Sequence, residues 1–485
     1  MNTFSELLSF LVHQKDIPVY PMTQYCEIER TMMYRYLNGK SIPESQTMVE
    51  RMADFMRLSP TEREQLITAW HIQKVGPENW HNRRCVENFL LHFPKTFPAE
   101  QQNDMPAEDS LPSVCPPCHP LFTPTALNHA VIQILMDEFQ KPEGHLRLML
   151  QPDYDYLFQS LTGFGEYTRT FAVEHILCLE NSSSHDQKNG CCNLTYLQKL
   201  LPLYSTGLNY NVYYYYDTIA SHFLNLNVFP CLILTGSCAI TCTSDFHSGI
   251  LYGEPKVVRL LTDYFEECRQ KCSSLLYPIS SVPQTCELIS DIFSEDNPYY
   301  FLQAQPFVVP FLTPDLIDKI IPADLRERDS LLCLLNDLQS RHQKDMERGH
   351  LHMYHTLEGI RHFLFKRQLA EMPGKFYTPF SPEDRLLLLY RISRHVPKCC
   401  RILNRPLKKL PLNFHLCVSR AGGYLIFTDS RMNPVYLRFT ESGLVDCFMD
   451  YFENLEESCL YSDTESQKIL QQLLEQPVEN RESSS

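Results

Sequence analysis

The sequence predicts a multidomain protein, with an all-α N-terminal domain followed by an α/β C-terminal region made of two related halves. Three observations carry that expectation. Five segments of helical period fill residues 1 to about 75, prolines crowd residues 94–124, and Asp263-Tyr264-Phe265-Glu266 returns as Asp450-Tyr451-Phe452-Glu453. At 485 residues the chain exceeds what one core organises, so roughly two to four domains are expected.

In the first helix Phe4, Leu7, Leu8 and Leu11 share one apolar face. Pro18 and Pro21 bound a second helix that runs to about Cys26. A third covers Glu29 to Asn38 and stops at Gly39, a residue suited to a left-handed helix end. Ser45 caps a fourth helix, which turns Met48, Met52, Phe55 and Met56 inward. Ser59, with Pro60 at the first helical position, opens a fifth whose core side is Leu66, Ile67 and Trp70.

Residues 76–125 read as a proline-rich linker, because no apolar period survives there. A first α/β unit follows over 126–275. It has helices at Asn128–Phe139, Leu194–Leu203 and Lys256–Cys272, and strands at Leu146–Leu150, Phe171–Leu179, Asn211–Tyr216, Cys231–Thr235 and Ala239–Thr243. Residues 276–350 read as a helical connector, 351–465 as a second α/β unit, and 466–485 as a flexible tail. The Asp-Tyr-Phe-Glu repeat sets an offset of 187 residues. The same offset aligns Gly236 with Gly423, Ile240 with Phe427, Thr241 with Thr428, Ile250 with Leu437 and Val258 with Val445. An apolar pattern kept over that span predicts duplication.

Composition narrows the function. Hydrophobic residues make up 44% and charged residues 21%, ordinary for a soluble globular chain. Met1-Asn2-Thr3-Phe4-Ser5-Glu6 lacks the basic start of a secretory signal, and Val228–Ile240 is broken by Pro230, Thr235, Gly236 and Ser237. A cytoplasmic location without membrane contact is expected, with the nineteen cysteines as reduced thiols. A net charge of −15 excludes a protein that coats nucleic acid without specificity. Any DNA contact must be local.

The segment from Ile28 to Pro43 offers such a contact. Met33, Tyr36 and Leu37 fall on one helix face, while Arg30, Thr31, Tyr34 and Arg35 project from the other. Arg can pair bidentately with guanine, Thr and Tyr can reach a phosphate or a thymine methyl, and Lys40 just beyond can meet a phosphate. The ending Tyr36-Leu37-Asn38-Gly39-Lys40-Ser41-Ile42-Pro43 resembles the recognition helix and following turn of Xre/Cro-type transcriptional regulators. That resemblance covers about 70 residues. It implies a helix-turn-helix domain, double-stranded DNA as partner, Arg30, Thr31, Tyr34, Arg35 and Lys40 as DNA-contacting residues, and a homodimer on two half-sites. Thr23 and Glu27 stand where the family has a small residue and the Gly of the turn. Residues 1–75 hold eight Lys/Arg against nine Asp/Glu, which keeps open a second reading, a protein-interaction scaffold that does not touch DNA.

The strand-rich segments ending in Asp-Tyr-Phe-Glu helices are similar to phospholipase D-like domains that serve some regulators as non-catalytic effector modules. Activity of that kind needs His-x-Lys with Asp five residues on. His13-Gln14-Lys15 and His342-Gln343-Lys344 are followed at that spacing by Tyr20 and Gly349. No enzyme activity, cofactor or metal is therefore expected, and the C-terminal region is read as sensing a small-molecule or peptide effector, dimerising, or both. Cys115-Pro116-Pro117-Cys118-His119 reads as linker cysteines. Tyr213-Tyr214-Tyr215-Tyr216 reads as a strand with one alternate pair free to line a pocket. Asp245-Phe246-His247 reads as a turn, and His350, His352 and His355 as a solvated helix face.

Overall fold

Helix follows helix through the first segment, each with a visible stop. In the computed structural model these are α1 (Phe4–Gln14), α2 (Val19–Cys26), α3 (Arg30–Leu37), α4 (Gln46–Phe55), α5 (Pro60–Val75) and α6 (Pro77–Leu91). The structure describes residues 3–93, 116–164, 171–180, 192–219, 227–279, 292–293, 297–365, 377–396, 398–429, 431 and 433–475. Two units separate by their internal packing, residues 1–85 and 86–485.

In the first unit, Thr3 and Ser59 each form a reciprocal cap with a Glu three residues on, and Ser45 accepts from the Met48 amide. Phe4, Leu8, Met22, Met33, Val49, Met52 and Leu66 are fully buried together. Pro21 lies inside α2, not at its edge, in the first turn where its missing N–H costs nothing. No strand occurs among the described residues of this unit.

The second unit holds two mixed sheets. The first contains β1 (Cys118–Leu121), β2 (His145–Met149), β3 (Ala172–Leu179), β4 (Asn209–Tyr216), β5 (Cys231–Leu234), β6 (Ala239–Cys242), β7 (Gly249–Tyr252) and β8 (Ser273–Ser274). The second contains β9 (Leu276–Pro278), β10 (Tyr299–Gln303), β11 (Leu351–Thr356), β12 (Cys400–Leu403), β13 (His415–Ser419), β14 (Gly422–Thr428) and β15 (Pro434–Phe439). Their orders are β1-β7-β6-β5-β2-β3-β4-β8 and β12-β11-β10-β13-β14-β15-β9.

These orders repeat. β2 lies between antiparallel β5 and parallel β3, with β4 beyond, and β10 lies likewise between β13 and β11, with β12 beyond. Each three-stranded antiparallel run is followed by one helix, α10 (Pro255–Arg269) after β7 and α15 (Ser442–Glu453) after β15. The offset of 187 superposes β7 on β15 and α10 on α15. Residues 273–279 join the sheets, since β8 pairs with β4 and β9 with β15 on either side of buried Leu275.

Helices cover both faces. α10 places Val258 and Phe265 against Ile176, Leu232, Leu234 and Ala239 of the first sheet. α7 (Pro124–Phe139), α8 (Asp155–Phe164) and α9 (Cys192–Ser205) belong to its other side. On the second sheet Phe448 of α15 meets Phe439 and also Phe89 of α6. The opposite face carries α11 (Pro314–Ile320), α12 (Arg328–Arg348), α13 (Leu357–Phe365), α14 (Pro382–Ser393) and α16 (Asp463–Glu475).

Several segments differ from expectation. Residues 77–91 form a helix and 118–121 an edge strand where a linker was expected over 76–125; residues 94–115 lie outside the described residues. The expected connector, 276–350, supplies β10, an interior strand of the second sheet. Every residue of β10 is buried, so it lacks the alternation that marks a half-exposed strand. His352 and His355 sit on β11, with His355 buried, and not on a solvated helix. The tail contributes α16, whose Leu470 and Leu473 are buried; residues 476–485 lie outside the described residues.

Candidate nucleic-acid interface

The turn between α2 and α3 sets how the third helix is presented. Its hinge is Glu27, in left-handed conformation at φ 56° and ψ 42°. The Glu27 carboxylate accepts from Arg51 at 3.1 Å, and that hydrogen bond and charge hold its pKa below the ordinary range. Behind α3, Met33 is fully buried and Tyr36 is 4% exposed. Ser9 donates to the Leu37 carbonyl at 2.8 Å, and the Trp70 indole N–H donates to the Pro43 carbonyl at 2.8 Å. Gly39, at φ 69°, closes the helix where a Cβ would stand 2.9 Å from Ser5 Oγ. That approach and the positive φ both require glycine.

Arg30, Thr31, Tyr34, Arg35 and Lys40 are all exposed. The Arg30 guanidinium lies 5.6 Å from the Tyr34 ring centroid, within reach of a cation–π contact. Thr31 Oγ1 donates to Glu29 Oε2 at 3.2 Å, which spends its proton within the chain. Arg30, Arg35 and Lys40 form no ion pair with another described residue. The face therefore presents two guanidiniums, an ammonium, a phenol and a hydroxyl oxygen. Such a set can donate to acceptor edges of bases and to phosphate oxygens.

Two further exposed groups escaped the sequence reading. Tyr20, 58% exposed, accepts a hydrogen bond from Gln24 at 3.0 Å on α2. A polar pair one turn apart on a short helix was the available signal.

The remaining motifs resolve differently. Cys118 and His119 are exposed on β1, while Cys115 lies outside the described residues. Tyr213 and Tyr215 pack against the cluster beneath α10. Tyr214 and Tyr216 contact each other, and Tyr216 donates to Glu441 Oε1 at 2.6 Å. Fully buried Glu441 also accepts from the amides of Gly443 and Leu444, so this pair ties the first sheet to the cap of α15. Asp245 and His247 form the turn between β6 and β7. The Thr243 hydroxyl is the main cause that lowers the Asp245 pKa. His13 lies on α1 and His342 on α12, where His342 is buried against the Tyr299 hydroxyl at 2.7 Å.

A second polar cluster lies across the middle of the second sheet. His415 on β13 bonds Gln303 on β10 at 3.0 Å, and His355 stands on neighbouring β11. All three are at most 2% exposed. Among the described residues no group of three or more His, Cys, Asp or Glu side chains is placed to hold a metal ion, and no helix is long and apolar enough to cross a membrane.

No family model matches the chain, and no curated protein matches it either. Among solved structures, the archaeal chromatin protein TrmBL2, described with a novel mode of DNA binding, aligns at 12% identity over 51% of this chain and 84% of its own, with a TM-score of 0.22. Phosphatidylserine synthase of Haemophilus influenzae Rd KW20 aligns at 9% identity over 81% of this chain and 97% of its own, again with a TM-score of 0.22. Likeness at this level identifies neither a family nor an activity.

Proposed function

We propose that this chain is a sequence-specific DNA-binding transcriptional regulator, in which α3 reads duplex DNA and the second unit dimerises and senses a small-molecule or peptide effector. One observation carries the reading: Arg30, Thr31, Tyr34, Arg35 and Lys40 are all exposed on α3 and its following turn, opposite the buried Met33 and Tyr36. Bases are read by Arg30 and Arg35, and Lys40 positions the backbone. An effector that binds one arrangement of the chain better than another shifts DNA affinity by that difference.

Site selection from random duplex DNA with the full chain tests this, followed by gel shifts. Arg30→Ala with Arg35→Ala is expected to weaken the selected site by about a hundredfold. Absence of enrichment, or equal binding by wild type and double variant, overturns the reading. It would favour instead a protein-interaction scaffold, for which Phe10 and Tyr20, each 58% exposed, supply contact surface.

A further inference from the structure

Four charged side chains stand exposed along helix α10. Lys256 and Arg259 stand toward its start and Asp263 and Glu267 further along, between an acidic N-cap, Glu254, and a basic residue of the last turn, Arg269. None of the four forms an ion pair with another described residue. Among them Leu260 and Tyr264, one turn apart, are 67% and 53% exposed. The repeat shows what this face does in the other half. On α15 the residues 187 positions on are Cys447 and Tyr451; there Tyr451 is buried and α9 packs against the helix. The face is closed on α15 and open on α10.

We propose that a second copy of this chain docks on α10, helix against helix and antiparallel about a two-fold axis. In that arrangement Leu260 meets the partner's Tyr264, Lys256 the partner's Glu267, and Arg259 the partner's Asp263. These three pairings share one midpoint, at Leu261 and Thr262, to within a residue. One rotation therefore satisfies an apolar centre and a charged rim together, as an isologous interface requires. Parallel packing would set like charges face to face. Each basic group of the face is then met by an acidic group of the partner. The inference holds whether or not α3 meets DNA.

Sedimentation of the full chain without DNA, from low to high micromolar concentration, tests it. Wild type is expected to dimerise. Lys256→Glu and Glu267→Lys should each raise the dimer dissociation constant about tenfold. Combining both substitutions in one chain should restore the dimer. So should mixing the two single variants in equal amounts, since both ion pairs become attractive in the mixed species. Either rescue also shows that the variants fold. A monomer at every concentration, a dimer indifferent to the single reversals, or a mixture without rescue overturns the proposal. A dimer that binds no DNA would keep this interface and refute the reading of α3. A monomer that binds DNA would do the reverse.

Discussion

Glu27, like Asp16 and Arg57, is a residue of the first unit with a side chain in the left-handed region. With φ at 56° it holds a left-handed conformation that costs every residue with a Cβ. Its exposed pairing with Arg51 compensates only in part, since surface ion pairs contribute little. Glu27→Gly is expected to keep or raise the melting temperature of the first unit by a few degrees, and Glu27→Val to lower it, because a branched Cβ suits this region least. A lower melting temperature for the glycine variant would show that the Arg51 contact dominates. The conformations of Glu27 and Thr23 were not legible in the sequence. Glu27 stands at the left-handed residue of the turn between α2 and α3. Thr23 is buried at no polar cost, because its hydroxyl donates to the Tyr20 carbonyl at 2.7 Å. Nothing in the spacing of Gln303, His355 and His415 announced that strand register would bring them together.

At the scale of elements, amphipathic helices were legible and fully buried strands were not. α1, α4 and α5 show their caps and apolar faces in the sequence because one side of each meets water. β10 has no wet side, so Tyr299 to Gln303 carry no period. α6 was hidden for another reason, since polar residues and the prolines beyond it make its surroundings read as linker. Its apolar end nevertheless belongs to the second unit. Phe89 is 2% exposed, with ring centroids 6.4 Å from Phe414 and 5.8 Å from Phe448. Phe89→Ala is therefore expected to destabilise the second unit by about 3–5 kcal/mol in denaturant unfolding. Phe10→Ala, at a ring 58% exposed, is expected to stay within about 0.5 kcal/mol. Equal effects would mean that α6 does not close this core. Of the candidate interface, the exposed side of α3 was legible, because Met33 and Tyr36 fixed which face turns inward.

Acid should separate the two units at the scale of the whole molecule. Among its described residues the second unit buries four histidines. Burial is the main cause that lowers His175 and His355 to about 4, and His342 and His415 to about 3. Their unfolded value is about 6.5. The unfolded chain therefore binds protons first as pH falls. Stability is fully present above about 6.5 and is lost as pH drops toward the folded values. Near pH 4.5 each group withholds roughly 2–3 kcal/mol, so the four together approach the whole stability of an ordinary domain, about 5–15 kcal/mol. The first unit has no buried histidine among its described residues. Its lowered carboxylates, Glu27 and Glu62, keep their contribution until pH falls below their ordinary range near 4.5. Between pH 6.5 and 4.5 only the second unit is expected to weaken. The chain supplies its own probes, because its two tryptophans, Trp70 and Trp80, both lie in the first unit. Far-ultraviolet circular dichroism follows mainly the larger second unit and its sheets. On acidification through this window its melting transition should fall well before the tryptophan fluorescence transition does. If the two transitions moved together, the buried histidines would not be what sets the acid limit of the fold.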